Sequence, residues 1–173
     1  MDFNLTEEQE LLIESVEEFG RRYFDERTVD AMYTNHGIPV EIAEAYRDAG
    51  FALMGLPEEV GGIPCDKLTL GIMTEKLYHA TGCMTPFMTA MLATADVAEF
   101  GTHEQATRIV DQYAKSGMPV ASLALSEPGA GSDNKAMSTY TKKQPDGTYI
   151  LRGQKTWVTN GGNTPYMIVV AKD

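Results

Sequence analysis

The sequence has 173 residues with 14 Lys plus Arg against 25 Asp plus Glu, a formal net charge of −11, and it is 43% hydrophobic and 23% charged. That composition is too apolar for a disordered chain, and the length suits one or two domains burying roughly 70% of the unfolded surface. The acidic balance argues against nucleic acid as a partner, and no apolar run approaches the roughly 20 residues that span a bilayer.

The acidic opening Met1–Glu8 lacks the basic and apolar regions of a signal peptide. Cys65 and Cys83 form no CxxC, and His36, His79 and His103 are far apart, so neither a disulfide framework nor a metal site is expected. These features together predict a soluble, cytoplasmic, metal-free protein.

The first two-thirds has helical periodicity. Thr6 and Gln9 fit a capping box, followed by Leu12, Val16, Phe19 and Tyr23 at helical spacing. Pro39 suits the first turn of a second helix with Ile42, Ala45, Tyr46 and Ala49 on one face and Gly50 at its end. Asp66 is an N-cap for a third helix from Lys67 to Gly82, and a fourth runs from Pro86 to Gly101 with Phe87, Met91, Ala95 and Ala98 or Phe100 inward. Thr102 and Gln105 open a fifth that stops at Gly117. The expectation is a bundle of about five helices.

At Met118 the period changes. Val120, Ser122, Ala124 and Ser126 alternate with Ala121, Leu123 and Leu125, a strand pattern. Residues 137–143 and 148–152 flank the turn signal Gln144-Pro145-Asp146-Gly147 and predict a hairpin. Lys155–Thr159 and Tyr166–Lys172 are further strand candidates, the last with an open edge that another chain or a further segment would complete. The boundary falls at Gly117, giving domains 1–117 and 118–173. The first carries 8 basic and 21 acidic residues and the second 6 and 4, so the second is better suited to an anionic small molecule.

Three segments carry chemistry. Leu123-Ala124-Leu125-Ser126-Glu127-Pro128-Gly129-Ala130-Gly131-Ser132-Asp133 runs from a strand into a loop whose glycines allow close backbone approach to phosphate and whose serines supply hydrogen bonds. A Pro-Gly turn with polar decoration has the same composition, and GxGxxG is absent. Gly153-Gln154-Lys155-Thr156-Trp157-Val158-Thr159-Asn160-Gly161-Gly162 places the only Trp between threonines. An indole there can pack on a flat heteroaromatic ring or simply fill a sheet core. Leu56–Pro64 is a tight loop between helices, and Met84, Met88 and Met91 suit either a core or a flexible acyl pocket.

In this order, Ala124–Asp133, Gly153–Asn160, Pro57–Gly62 and the opening Phe3–Gln9 resemble the acyl-CoA dehydrogenase family of flavoproteins. Within it, the opening and Asn163–Tyr166 look closest to the crotonobetainyl-CoA reductase branch. The resemblance implies an α+β fold, an N-terminal all-α helical bundle followed by an incomplete antiparallel β-domain, with FAD as cofactor. It implies α,β-dehydrogenation of an acyl-CoA thioester or the reverse enoyl-CoA reduction, as part of fatty acid metabolism. Leu123, Leu125, Ser126, Gly131 and Ser132 would lie along FAD, with the Ser126 hydroxyl at the pyrimidine edge. Trp157 and Val158 would pack by the ring and Thr159 would bond near N5. Ser132, with Met88 and Met91, would touch substrate.

An electron-transfer flavoprotein as redox partner and a homo-oligomer are implied as well. The family's catalytic Glu lies in a C-terminal helical domain expected beyond this sequence. No catalytic residue is therefore assigned here, and the isolated chain is expected to be inactive and to hold FAD weakly. The alternative is a truncated, non-catalytic flavin- or partner-binding module.

Overall fold

A computed structural model describes residues 4–83 and 86–173, without the side chain of Pro86. Met84 and Phe3 lie outside the described residues. Six helices are present among those described: α1 (Glu7–Tyr23), α2 (Glu26–Asn35), α3 (Val40–Asp48), α4 (Lys67–Thr81), α5 (Pro86–Phe100) and α6 (His103–Ser116). The caps explain most of the boundaries. Thr6–Gln9 and Thr102–Gln105 form reciprocal capping boxes, and Asp66 accepts from the Leu68 and Thr69 amides. Gly82 and Gly117 end α4 and α6 in the left-handed conformation.

One helix more than expected is found. α2 starts at the N-cap Asp25, whose carboxylate accepts from the Thr28 amide at 2.8 Å. Met32 is the one residue it buries, yet Val29, Met32 and Tyr33 recur at helical spacing, a short signal that the sequence reading passed over.

The core gathers Val16 and Phe19 of α1, Ile42, Ala43 and Tyr46 of α3, Met73 and Leu77 of α4, Phe87 and Met91 of α5, and Ile109 and Tyr113 of α6. Its centre is aromatic: Tyr46 stacks on Phe87 at 4.0 Å between ring centroids, and Phe51 meets Phe19 edge-on at 5.7 Å. Each fully buried ring contributes about 1.5–3 kcal/mol of apolar transfer free energy.

Four short strands follow: β1 (Ala121–Ala124), β2 (Tyr140–Lys143), β3 (Tyr149–Arg152) and β4 (Tyr166–Val169). β2 and β3 form the expected antiparallel hairpin, with Tyr140 opposite Arg152. β1 pairs with β4 in parallel, Ala121 opposite Tyr166, so the antiparallel expectation is corrected for that pair. The 41-residue gap between them holds the hairpin and loops, enough chain for a parallel crossover.

The edge expected to be open at the chain end is partly closed. Lys172 donates its N–H to Thr139 O at 2.9 Å and accepts from Thr141 N at 2.8 Å. β1 is anchored in the bundle, because Val120 and Ala121 belong to the core cluster and Leu123 packs against it.

Candidate functional site

Two segments 30 residues apart in sequence are stitched together. The loop leaving β1 closes on itself through reciprocal backbone bonds between Glu127 and Ala130, at 2.8 and 3.1 Å. The Thr156 amide then donates to Ser126 O at 2.9 Å, and Lys155 Nζ donates to Leu125 O at 2.8 Å and to Glu127 Oε1 at 2.9 Å. These are buried charges, with side chains 4% exposed for Glu127 and 9% for Lys155. The second Glu127 oxygen accepts from the Ser138 amide at 2.6 Å and its hydroxyl at 2.8 Å, and the first also accepts from the Thr139 amide at 2.9 Å.

The neighbouring Thr139 hydroxyl, the Ser138 amide and Lys155 hold the Glu127 carboxyl far below the usual carboxylate range, against the opposing effect of burial. The Thr139 hydroxyl makes no aligned hydrogen bond, so the Ser138 and Thr139 amides, the Ser138 hydroxyl and Lys155 are the contacts that fix the group. Glu127 is therefore held as a carboxylate near neutral pH, with both oxygens accepting hydrogen bonds.

The approach of the Trp157 segment to the start of the hairpin also needs Gly153. Its φ is 153°, and a Cβ there would overlap Thr139 Oγ1 and lie 2.6 Å from Thr139 Cα.

Residues 155–159, expected as a strand, are not one. Trp157 has φ 56°, which no pleated strand accommodates. The segment is held by Lys155 and the Thr156 amide instead of a ladder. The indole consequently stands out in solvent, 93% exposed.

The other sequence-nominated residues fall into two groups. Leu125, Ser126 and Val158 are half-buried near the stitch, and Gly131, Ser132 and Thr159 are exposed. Met91 is buried in the bundle core, and Met88 and Leu123 pack against that cluster. Ser132 lies on the exposed loop. Glu127 and Lys155 stand inside both motif segments, yet sequence reasoning gave them no role. The available signal was a lone lysine in one stretch and the acidic Glu127 and Asp133 in the other.

The exposed face suits a flat heteroaromatic group. Among the described residues the Ser126, Ser132 and Thr159 hydroxyls have no hydrogen-bond partner in the protein. A Cβ at Gly129 or Gly131 would meet nothing within 4 Å, so the loop's backbone is open to a ligand. Beside it, an open cleft of about 360 Å³ lies between α2 and residues 158–163. Asn163 Nδ2 spans toward α2 and donates to His36 O at 2.6 Å. Among the described residues no cluster could hold a metal ion, and no helix is long and apolar enough to cross a membrane.

A helical bundle feeding a small β-region that presents an exposed indole and open glycine backbone is an α+β architecture. The chain matches the acyl-CoA dehydrogenase N-terminal domain over residues 6–117 and the acyl-CoA dehydrogenase middle domain over 122–173, and it belongs to that family. It is 39% identical to the probable acyl-CoA dehydrogenase YdiO of Escherichia coli strain K12, covering 100% of this chain and 45% of that protein. Among solved structures, butyryl-CoA dehydrogenase from Megasphaera elsdenii superposes with a TM-score of 0.76 at 27% identity, covering 99% of this chain and 45% of that one. The FAD complex of PigA gives 0.76 at 26% identity with the same coverage. The chain thus spans about half the length of the relatives it matches.

Proposed function

We propose that the chain is the FAD-binding and substrate-facing N-terminal part of an acyl-CoA dehydrogenase, with domains 1–117 and 118–173. The observation that carries this is the joining of Ser126 to the Trp157 segment through the Thr156 amide and the buried Lys155–Glu127 pair. Trp157 and Val158 would hold the flat ring of the cofactor. Leu123, Leu125, Ser126, Gly131, Ser132 and Thr159 would supply the remaining contacts, with the Ser126 and Thr159 hydroxyls as donors to its polar edges. Bound FAD supplies hydride-accepting chemistry, while the residues here orient it and exclude water from one side.

The substrate is an acyl-CoA or enoyl-CoA thioester that meets Ser132, with Met88 and Met91 shaping the acyl end. The resemblance to the crotonobetainyl-CoA reductase branch makes enoyl-CoA reduction the direction to assay first. An electron-transfer flavoprotein as redox partner, a homo-oligomeric assembly, a role in fatty acid metabolism and a cytoplasmic location complete the reading.

The test is a visible spectrum of the natively expressed protein, before and after an acyl-CoA is added without oxygen. When the natively expressed protein also carries the family's C-terminal helical domain, flavin bands at about 370 and 450 nm, the latter bleaching with acyl-CoA, are expected. Protein without flavin leaves a non-catalytic module, and the proposed chemistry falls.

A further inference from the structure

We propose that Lys155 and Glu127 are positioning residues: their buried pair sets Ser126 in register with Trp157–Thr159, making one ligand-facing surface from two loops. The inference rests on the flavin reading for its ligand, and on geometry alone for the clasp.

The bonds fall on successive residues. The Leu125 carbonyl is held by Lys155 and the Ser126 carbonyl by the Thr156 amide, while the Glu127 side chain returns to Lys155. Ser126 is therefore bracketed on both sides by the two residues that directly precede Trp157. Glu127 extends the clasp to the start of the hairpin through the Ser138 and Thr139 amides. No regular ladder could do this, because residues 153–160 form no strand and Trp157 adopts a left-handed conformation. A buried ion pair is a costly way to gain stability, and its better-attested use is to fix one arrangement among several. Here it acts where the backbone lacks a sheet to define its register. Both charges are almost wholly excluded from solvent, so neither contacts the ligand, and their effect passes through Ser126 and Trp157.

The experiment compares the natively expressed protein with Lys155→Met and Glu127→Gln, the latter an isosteric change that tolerates folding if the first does not. Amide hydrogen exchange reads the clasp without any ligand. We expect the Thr156, Ser138 and Thr139 amides to exchange at least about tenfold faster in both variants, with α1 and α6 still protected. FAD titration of deflavinated protein reads the consequence, with an expected loss of affinity of about tenfold or more and a shift of the bound-flavin band.

Unchanged exchange at Thr156 would overturn the proposal. So would unchanged FAD affinity and band position in variants whose clasp amides have opened. Wild-type protein that takes up no FAD would reject the flavin reading instead, and the exchange comparison would still decide the clasp.

Discussion

Two glycines in the same conformation provide an internally controlled test of the packing between α3 and α6. Gly82 and Gly117 are both left-handed helix C-caps, with φ 65° and 66°. Alanine at either position costs about 1 kcal/mol for placing a Cβ in that region. At Gly82 the added Cβ meets nothing within 4 Å. At Gly117 it would overlap the Ala43 carbonyl oxygen, 2.7 Å from Ala43 C and 3.0 Å from Arg47 Cβ. The two closest are backbone atoms of α3 and the third is the Cβ fixed to its Arg47 backbone, so none can swing aside and overpacking adds roughly 1–3 kcal/mol. Gly82→Ala should then cost about 1 kcal/mol and Gly117→Ala about 2–4 kcal/mol. For a chain of this size each kcal/mol lowers Tm by about 2–4 °C. Thermal melts followed by circular dichroism measure both variants directly. Equal losses would mean that α6 does not end against α3 as described, and the steric reasoning would fail.

Phe87→Ala removes the ring stacked on Tyr46 in a fully buried position and should cost about 3–5 kcal/mol, read as a lower urea midpoint at unchanged slope. Thr102→Ala deletes the side-chain acceptor of the Gln105 amide and should cost about 1 kcal/mol, seen as faster amide exchange in the first turn of α6. The Glu127 carboxyl is depressed in the folded state by the contacts around it. Its contribution is therefore fully present above its unfolded value near 4.3 and fades as pH falls below that value. The Tm gap between wild type and Glu127→Gln should hold steady from pH 7 to about 5, begin to narrow below about pH 4 and keep narrowing as pH falls toward the depressed folded-state value. A gap independent of pH would show that the charge on Glu127 is not what matters.

Helix ends were legible because capping is local. Thr6 with Gln9, Asp66, Gly82, Thr102 with Gln105, and Gly117 each act within one turn, and all appear in the structure as the sequence implies. α2 was overlooked although it carries the same kind of local signal, an N-cap at Asp25 followed by Val29, Met32 and Tyr33 at helical spacing. The hairpin was legible from its turn residues, but the parallel pairing of β1 with β4 joins segments 45 residues apart and leaves no local trace. The Trp157 segment was misread for a related reason. Its alternating pattern fits a strand, and what overrides it is a lysine bonded to a glutamate 28 positions earlier. The candidate site was thus visible as two motifs, while the contacts that unite them are tertiary.

The same contacts explain how a small β-region can hold a site in one place. Two-stranded sheets are marginal alone, and neither β1–β4 nor β2–β3 extends beyond four residues per strand. Order must therefore be imported from elsewhere, and it enters at three points. β1 begins inside the helical core through Val120 and Ala121. Asn163 ties the far end of the Trp157 segment to His36 at the end of α2, and Tyr166 Oη accepts from Gln112 on α6. Between these anchors the buried Glu127–Lys155 pair joins the two loops to each other. On the proposed reading the bundle supplies the frame and the ion pair the register, which would leave Ser126, Trp157 and Thr159 to meet a ligand. That division explains why the exposed indole sits beside the most buried charges of the β-region.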